Sequence, residues 1–277
     1  MSAVRIGGKL EGRVLRGEPM SKHTSWRVGG PADAWFTPRD VTDLSAFLRT
    51  LPADLPVTWV GLGSNLLVRD GGIRGAVISV HGILNALERV GPDRVRAEAG
   101  VACARLGRQC AKWKLGPADF FAGIPGTVGG ALAMNAGAWG AETWPYVVET
   151  ETIDRAGSRH RRPASEYRYG YRSVTPPVPG EWFLAATFRF EQCPDASTDS
   201  IKRLLEERHA KQPIGEPSCG SVFTNPPGGH AADLIERAGL KGHRIGDAQV
   251  SAKHANFIVN TGAASAADIE SLLRHVQ

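Results

Sequence analysis

The segment Val57-Thr58-Trp59-Val60-Gly61-Leu62-Gly63-Ser64-Asn65-Leu66-Leu67-Val68 decides how the chain is read. A short β-prone run, Val57 to Val60, breaks into two glycines spaced as in a dinucleotide-binding turn. Glycines there let a ligand approach the backbone closely, and turned N–H groups can nest an anion. Leu66, however, stands where the third glycine of that fingerprint belongs. Beyond it, Leu66-Leu67-Val68 predicts a strand where a Rossmann unit needs a helix, so the dinucleotide reading fails its own context. Taken by itself the loop is more readily a plain turn than a ligand site.

Working outward, strand signals dominate the first two thirds of the chain. Ala76 to Val80 follows the turn Asp70-Gly71-Gly72, and Ala86 to Val90 faces Val95 to Ala99 across Gly91-Pro92-Asp93, a hairpin signature. A helix from Cys103 to Lys114 ends before Gly116-Pro117, and Phe120 to Gly140 mixes loop with helix. Val147 to Asp154 and Trp182 to Phe190 predict strands, and Cys193-Pro194-Asp195 predicts a linker. Ser197 to Gln212 carries helical spacing through Ile201, Leu204 and Leu205. Past Pro213 the pattern becomes a smaller α+β unit: a helix from Ala231 to Ala238, strands near Ala248 to Val250 and Asn256 to Val259, and a last helix. Ser265 and Asp268 are spaced close to a capping box for that helix. The class is α+β, with a boundary near residue 195 and no internal repeat.

The composition narrows the partners. Of 277 residues, 42% are apolar and 22% charged, which excludes disorder and fibre. The 33 glycines and 18 prolines imply many turns or glycine-rich loops. A net charge of +5 and a pI near 9.2 favour anionic partners, phosphorylated small molecules as much as nucleic acid. No basic run is long enough for a nucleic-acid arm. Met1 to Gly30 has no apolar core of signal-peptide length and no run reaches a membrane span, so a cytoplasmic protein is expected. Cys103, Cys110, Cys193 and Cys219 show no CxxC spacing and predict reduced thiols. The histidines are scattered without HExxH spacing, so no metal site is expected.

A second glycine-rich loop, Gly123-Ile124-Pro125-Gly126-Thr127-Val128-Gly129-Gly130, leads into Ala131-Leu132-Ala133-Met134-Asn135-Ala136-Gly137. Proline fixes the loop, and small residues clear space at a helix N-terminus whose amides and dipole attract a diphosphate. Close helix packing would use the same composition, and the spacing does not choose between the two. Two such loops with no Walker lysine motif point away from an ATPase and toward a large dinucleotide.

His23-Thr24-Ser25-Trp26-Arg27-Val28-Gly29-Gly30-Pro31-Ala32-Asp33, then Gly61 to Val68, then Ala122 to Gly140, together resemble the UDP-N-acetylenolpyruvoylglucosamine reductase (MurB) family. The likeness continues through Gly170-Tyr171-Arg172-Ser173, Pro217 to Pro226, Leu240-Lys241-Gly242 and Asn256-Phe257-Ile258, in the family's order across nearly the whole chain. The resemblance implies FAD held in a non-Rossmann, two-subdomain α+β fold of the PCMH/vanillyl-alcohol-oxidase type, plus a smaller C-terminal α+β substrate domain. The expected limits are 1–81, 82–195 and 196–277. Gly61, Gly63, Ser64 and Asn65 would line the FAD, with Ile124, Pro125, Gly126 and Thr127 adding contacts. The implied reaction belongs to peptidoglycan precursor synthesis. It reduces the enol ether of UDP-N-acetylglucosamine enolpyruvate to UDP-N-acetylmuramate, with NADPH reloading the flavin.

That chemistry makes two demands. Hydride arriving at the vinyl carbon β to the carboxylate builds negative charge there, and a proton must then reach the α carbon. Arg172, in the cluster Tyr167-Arg168-Tyr169-Gly170-Tyr171-Arg172, fits the first, since a guanidinium is always charged and binds a carboxylate through two parallel hydrogen bonds. Most of the chain's 33 basic residues are expected to be solvated, and only the resemblance singles out Arg172, with Tyr171 as a supporting wall. Ser221 fits the second: a weak acid that can still protonate a carbanion-like carbon if a neighbour stabilises its alkoxide. A turn serine beside Gly220 is the ordinary role for such a residue. Cys219, with no catalytic histidine evident, reads as a small buried residue. Lys211 and Lys253 offer point charges for a diphosphate, and Asn225 and Asn256 offer mixed donor–acceptor edges for uracil or sugar hydroxyls. His254 beside them could serve the substrate or simply pack.

One departure from the family stands out. Its members carry a catalytic glutamate in a Pro-Glu-Val/Ile-Arg-like segment near the C-terminus, and this sequence stops before it, within a helical pattern, at His275-Val276-Gln277. The C-terminal domain is therefore expected to be shortened at its end. The short stretch between Arg172 and Trp182 fits the shorter subtype, without the inserted tyrosine loop. Two alternatives accompany this reading: another FAD-dependent sugar or alcohol oxidoreductase of the same fold, and a non-catalytic UDP-sugar-binding relative. A nucleic-acid binder fits less well, because the charge is not clustered with aromatics.

Overall fold

The structure is a computed structural model that describes residues 10–277; the first part of the stretch read above for a leader, residues 1–9, lies outside the described residues. In chain order the main elements are β1 (Arg13–Pro19), β2 (Pro31–Thr37), α1 (Val41–Thr50), β3 (Val57–Val60), β4 (Ile73–Ser79), β5 (Leu87–Arg89), β6 (Arg94–Glu98) and α2 (Cys103–Lys112). There follow α3 (Val128–Met134), β7 (Val147–Ile153), β8 (Arg159–Pro163), β9 (Arg168–Gly170), β10 (Ser173–Thr175), β11 (Trp182–Arg189) and α4 (Thr198–Lys211). The chain closes with α5 (Ala231–Arg237), β12 (Arg244–Ile245), β13 (Ala248–Val250), β14 (Ile258–Asn260) and α6 (Ala266–Val276). The content is α+β. One sheet orders β1-β2-β4-β3, a second β8-β7-β11-β6-β5 and a third β12-β13-β14, while β9 and β10 pair only with each other.

The residues divide into two compact units. One holds residues 10–15 with Ala34–Gly61 and Gly75–Leu205; the other holds Arg16–Asp33, Leu62–Arg74 and Glu206–Gln277. In the first unit β3 runs parallel to β4, with Val57 opposite Ala76 and Val60 opposite Ser79. Helix α1 escaped the sequence reading, although its signal was present in Asp40 and Asp43. The Asp40 carboxylate accepts the Asp43 N–H at 2.9 Å as N-cap, and buried Asp43 accepts the N–H groups of Glu11, Gly12 and Arg39. The apolar face of α1, Leu44, Phe47 and Leu48, packs on Phe36 and Ile78, with the Phe36 and Phe47 rings stacked at 3.9 Å.

The antiparallel second sheet forms the other core of this unit. Its hairpin β5–β6, with Arg89 opposite Val95, turns at Gly91-Pro92-Asp93 as the sequence indicates. Phe188 of β11 and Phe190 beyond it meet Leu106 and Cys110 of α2, Phe121, and Leu132 of α3. Cys103 and Cys110 are both free thiols in this core, and burial pushes that of Cys110 up to about 12.

In the second unit α6 buries Ile269 and Leu272 against Val250, Ile258 and Trp26. The indole N–H of Trp26 donates to the Ile258 carbonyl at 2.7 Å, which draws the His23–Asp33 motif into the same core as the C-terminal third. The capping box at Ser265 and Asp268 is fully formed, and the Asp70 carboxylate accepts the next two amides, Ala266 and Ala267, both at 3.0 Å. The expected strand at Leu66-Leu67-Val68 does not form. The Leu66 carbonyl is taken by the Cys219 thiol, and that of Arg69, just past the run, by the amides of Gly30 and Gly72, with no ladder. The run looks strand-like because Val68 is buried and Leu67 partly so, not because the backbone pairs.

Candidate active site

Gly61 follows β3 directly, at the carboxyl end of a parallel strand, where ligands of α/β sheets are commonly received. It is glycine for a specific reason: a Cβ there would lie 2.5 Å from Oγ1 of Thr127. The two glycine-rich segments singled out in the sequence therefore touch, with no side chain between Gly61 and the second loop. Thr127 is buried and N-caps α3 through the Gly130 N–H at 3.4 Å. Ile124 is buried, Pro125 exposed and Gly126 partly exposed; the Gly126 N–H donates to the Ile124 carbonyl and the Gly126 carbonyl accepts the Cys103 N–H, both at 2.9 Å, so the outer surface of this loop is Pro125.

Of the two readings left open for the first amides of α3, packing holds: they are not offered to a diphosphate. Val128 donates to the Val101 carbonyl at 2.8 Å and Gly129 to the Ala99 carbonyl at 2.9 Å. A Cβ on Gly129 would approach that of Ala99 to 3.0 Å, so this glycine serves close packing. What this loop leaves for a ligand is its surface at Pro125 rather than the amides of α3. The sequence reading also passed over Trp139, at a positive φ of 51° in a tight hairpin; its ring lies where a Cβ on Gly123 would be, at 2.9 Å, and so props the start of the loop. The Trp-Gly pair at 139–140, set among small residues, was its signal.

Tyr171 and Arg172 form the two-residue turn of the β9–β10 hairpin, with Gly170 opposite Ser173. Arg172 sits at φ +57°, a left-handed conformation that costs a non-glycine residue about 1 kcal/mol. Both turn residues are exposed, and the Arg172 guanidinium makes no hydrogen bond or ion pair with the described residues. Behind the turn, Tyr169 stacks on Trp144 at 5.7 Å.

In the second unit Gly63 takes a positive φ of 61°, and a Cβ there would overlap the His23 carbonyl oxygen. Its own carbonyl accepts the Ser25 N–H at 3.1 Å and the Cys219 thiol at 3.6 Å. Burial pushes that thiol up to about 11, so Cys219 acts as a hydrogen-bond donor to the loop. Ser64 is partly exposed and Asn65 exposed. Following Cys219, Gly220 has φ +74°, and partly exposed Ser221 forms a bridge with Phe257.

Asn256 does not present its amide to a ligand, contrary to expectation. It is 3% exposed; its Oδ1 accepts the Phe223 N–H and its Nδ2 donates to the Phe223 carbonyl, each at 2.9 Å. With the Val222 N–H donating to the Asn256 carbonyl at 3.0 Å, this pins the segment that carries Ser221. His254 takes the packing alternative: its Nδ1 accepts the Asn256 N–H, its ring meets Phe257 edge-on at 4.9 Å, and burial lowers its pKa. Lys253 donates to the His209 carbonyl near the C-terminal end of α4, while Lys211 is exposed and without a partner among the described residues. Asn225 is exposed; its Oδ1 accepts the Ala231 N–H at 3.1 Å at the start of α5. Among the described residues no group of three or more His, Cys, Asp or Glu could hold a metal ion, and no helix is long and apolar enough to cross a membrane.

Comparison with known proteins is consistent along the chain. Residues 212–277 match the C-terminal domain of UDP-N-acetylenolpyruvoylglucosamine reductase, and residues 32–162 match an FAD binding domain. The UDP-N-acetylenolpyruvoylglucosamine reductase of Alkalilimnicola ehrlichii is 58% identical, over 96% of this chain and 89% of its own length. That of Methylococcus capsulatus is 53% identical, over 100% of this chain and 91% of its own. The crystal structure of the Thermus caldophilus reductase superposes with a TM-score of 0.84 at 32% identity, covering 97% of this chain and 95% of that one.

Proposed function

The chain belongs to the UDP-N-acetylenolpyruvoylglucosamine reductase family, FAD-dependent oxidoreductases of peptidoglycan precursor synthesis, and on that premise we propose how its own residues divide the work. Gly61, Gly63, Ser64 and Asn65, with Ile124, Pro125, Gly126 and Thr127, hold the FAD, which supplies the hydride and is recharged by NADPH. Support for this cradle is the Gly61–Thr127 contact, which a side chain would fill. We assign residues 1–81 and 82–195 to the two FAD-binding subdomains and 196–277 to the substrate domain.

The substrate is the enolpyruvyl ether of UDP-N-acetylglucosamine. Arg172 receives its carboxylate in a bidentate pair and holds the charge that grows there as hydride adds to the β carbon. Ser221 then gives its hydroxyl proton to the α carbon, and the product is the saturated lactyl ether of UDP-N-acetylmuramate. Tyr171 flanks the enolpyruvyl group. Lys211 and the free Nδ2 edge of Asn225 face the UDP portion, with Lys253, anchored on the end of α4, adding positive charge. UDP-sugars and NADPH are metabolites of the cytoplasm, which is where we place the reaction.

The observation that carries this assignment is Arg172 itself: a strained, exposed arginine with an uncommitted guanidinium at the tip of a hairpin. The test is to mix purified, flavin-loaded protein with NADPH and the enolpyruvyl substrate without oxygen. UDP-N-acetylmuramate should appear in step with NADPH consumed. Oxygen consumption with simple sugars, and no reaction of the enolpyruvyl ether, would overturn it.

A further inference from the structure

We propose that Asn135 is a positioning residue for Arg172, tying the hairpin that carries the arginine to the end of α3. The inference rests on the substrate role given to Arg172 above. Asn135 is 1% exposed and caps α3 in the left-handed region, at φ 43° and ψ 48°. Asparagine tolerates that conformation, and its short side chain can still reach three neighbours. Its Oδ1 accepts the Trp144 N–H at 3.0 Å; its Nδ2 donates to Glu142 Oε2 at 2.7 Å and to the Gly170 carbonyl at 3.0 Å. Both donor hydrogens of this amide and its oxygen are therefore engaged.

Gly170 is the residue immediately before the Tyr171-Arg172 turn. The β9–β10 ribbon joins neither large sheet, and a two-stranded ribbon alone is marginally stable. Beyond the packing of Val174 on the core of the unit, two contacts attach it: Tyr169 on the Trp144 ring, and the Asn135 amide on the Gly170 carbonyl. The two are one device, because Trp144 is itself fixed by its N–H to Asn135 and its indole N–H to the Leu132 carbonyl of α3 at 2.8 Å. Of these two attachments, the Asn135 contact reaches the residue adjoining the turn. It also holds Gly170 against the strain stored at Arg172, which favours any motion that lets φ relax. The arginine thus points from a fixed base rather than from a free ribbon tip.

A double-mutant cycle separates positioning from general support. Asn135→Gly keeps the left-handed cap and removes the amide. It should slow flavin reoxidation by the enolpyruvyl substrate by about tenfold or more, while NADPH-driven reduction stays within about twofold. In an Arg172→Gln background the same change should cost less than about twofold. Calorimetric binding of UDP-N-acetylmuramate should follow that pattern, weakened by Asn135→Gly only where Arg172 is present. Equal losses in both backgrounds would overturn the proposal while leaving the Arg172 role intact. Arg172→Gln with no effect on the substrate half-reaction would instead overturn both.

Should Asn135→Gly not fold, Asn135→Asp combined with Glu142→Gln supplies a second test. The amide introduced at position 142 can donate to the carboxylate introduced at position 135, but nothing then donates to the Gly170 carbonyl. The pair should regain much of the melting temperature lost by Asn135→Asp alone while the substrate half-reaction stays slow. Recovery of both together would contradict the tether.

Discussion

Thr127 Oγ1 occupies the position that a side chain on Gly61 would need, 2.5 Å from an ideal Cβ. Gly61→Ala should therefore cost about 1–3 kcal/mol through overpacking and should lower the flavin content of purified protein. Adding Thr127→Ala removes the opposing atoms and should recover part of the melting temperature. Thermal unfolding with flavin absorbance reports both effects, and an unaltered Gly61→Ala would mean that the two segments are not in contact.

In its proposed role, Arg172 trades stability for function. Arg172→Gly relieves the left-handed strain and should raise stability by up to about 1 kcal/mol, while the substrate half-reaction collapses. Urea unfolding beside single-turnover kinetics would show the two moving in opposite directions. A loss of both would place the strain elsewhere.

Asp70 supports α6 from a distant loop. Its carboxylate takes the amides of Ala266 and Ala267, so Asp70→Ala should cost about 1 kcal/mol, comparable with Ser265→Ala at the cap itself. Arg69→Gln next to it breaks an exposed ion pair with Glu270 and should cost less than either in thermal unfolding.

Acid should weaken the second sheet through Glu151. Hydrogen bonds from Arg96 hold its carboxyl below the ordinary value of 4.5, assisted by Arg159. A depressed carboxylate stabilises the fold above its unfolded pKa, and that contribution is lost as pH falls through the lower folded value. Wild-type urea midpoints should drop between about pH 5 and pH 3, and Glu151→Gln, weaker at neutral pH, should show a shallower decline.

Local signals in the sequence were reliable where the partner was local. The capping box at Ser265 and Asp268, the β5–β6 hairpin and the spacing of α4 all depend on residues a few positions apart. What escaped was what depends on distant partners. Asn256 looks like a ligand edge until Phe223 takes both its atoms, and the α3 amides look like an anion site until Ala99 and Val101 take them. Leu66-Leu67-Val68 misled because burial and strand pairing leave the same apolar mark. Gly61 and Thr127 were each marked as glycine-loop residues, but their contact is a product of the fold.

The proposed mechanism makes Ser221 the proton donor of the substrate half-reaction, and Ser221→Ala tests that role most directly. Rapid mixing follows the visible flavin absorbance in the two half-reactions separately. NADPH should reduce the flavin of Ser221→Ala at a near-normal rate, and reoxidation by the enolpyruvyl substrate should slow by a factor of about a hundred or more. If both half-reactions slow alike, or if reoxidation keeps its wild-type rate, Ser221 does not deliver the proton.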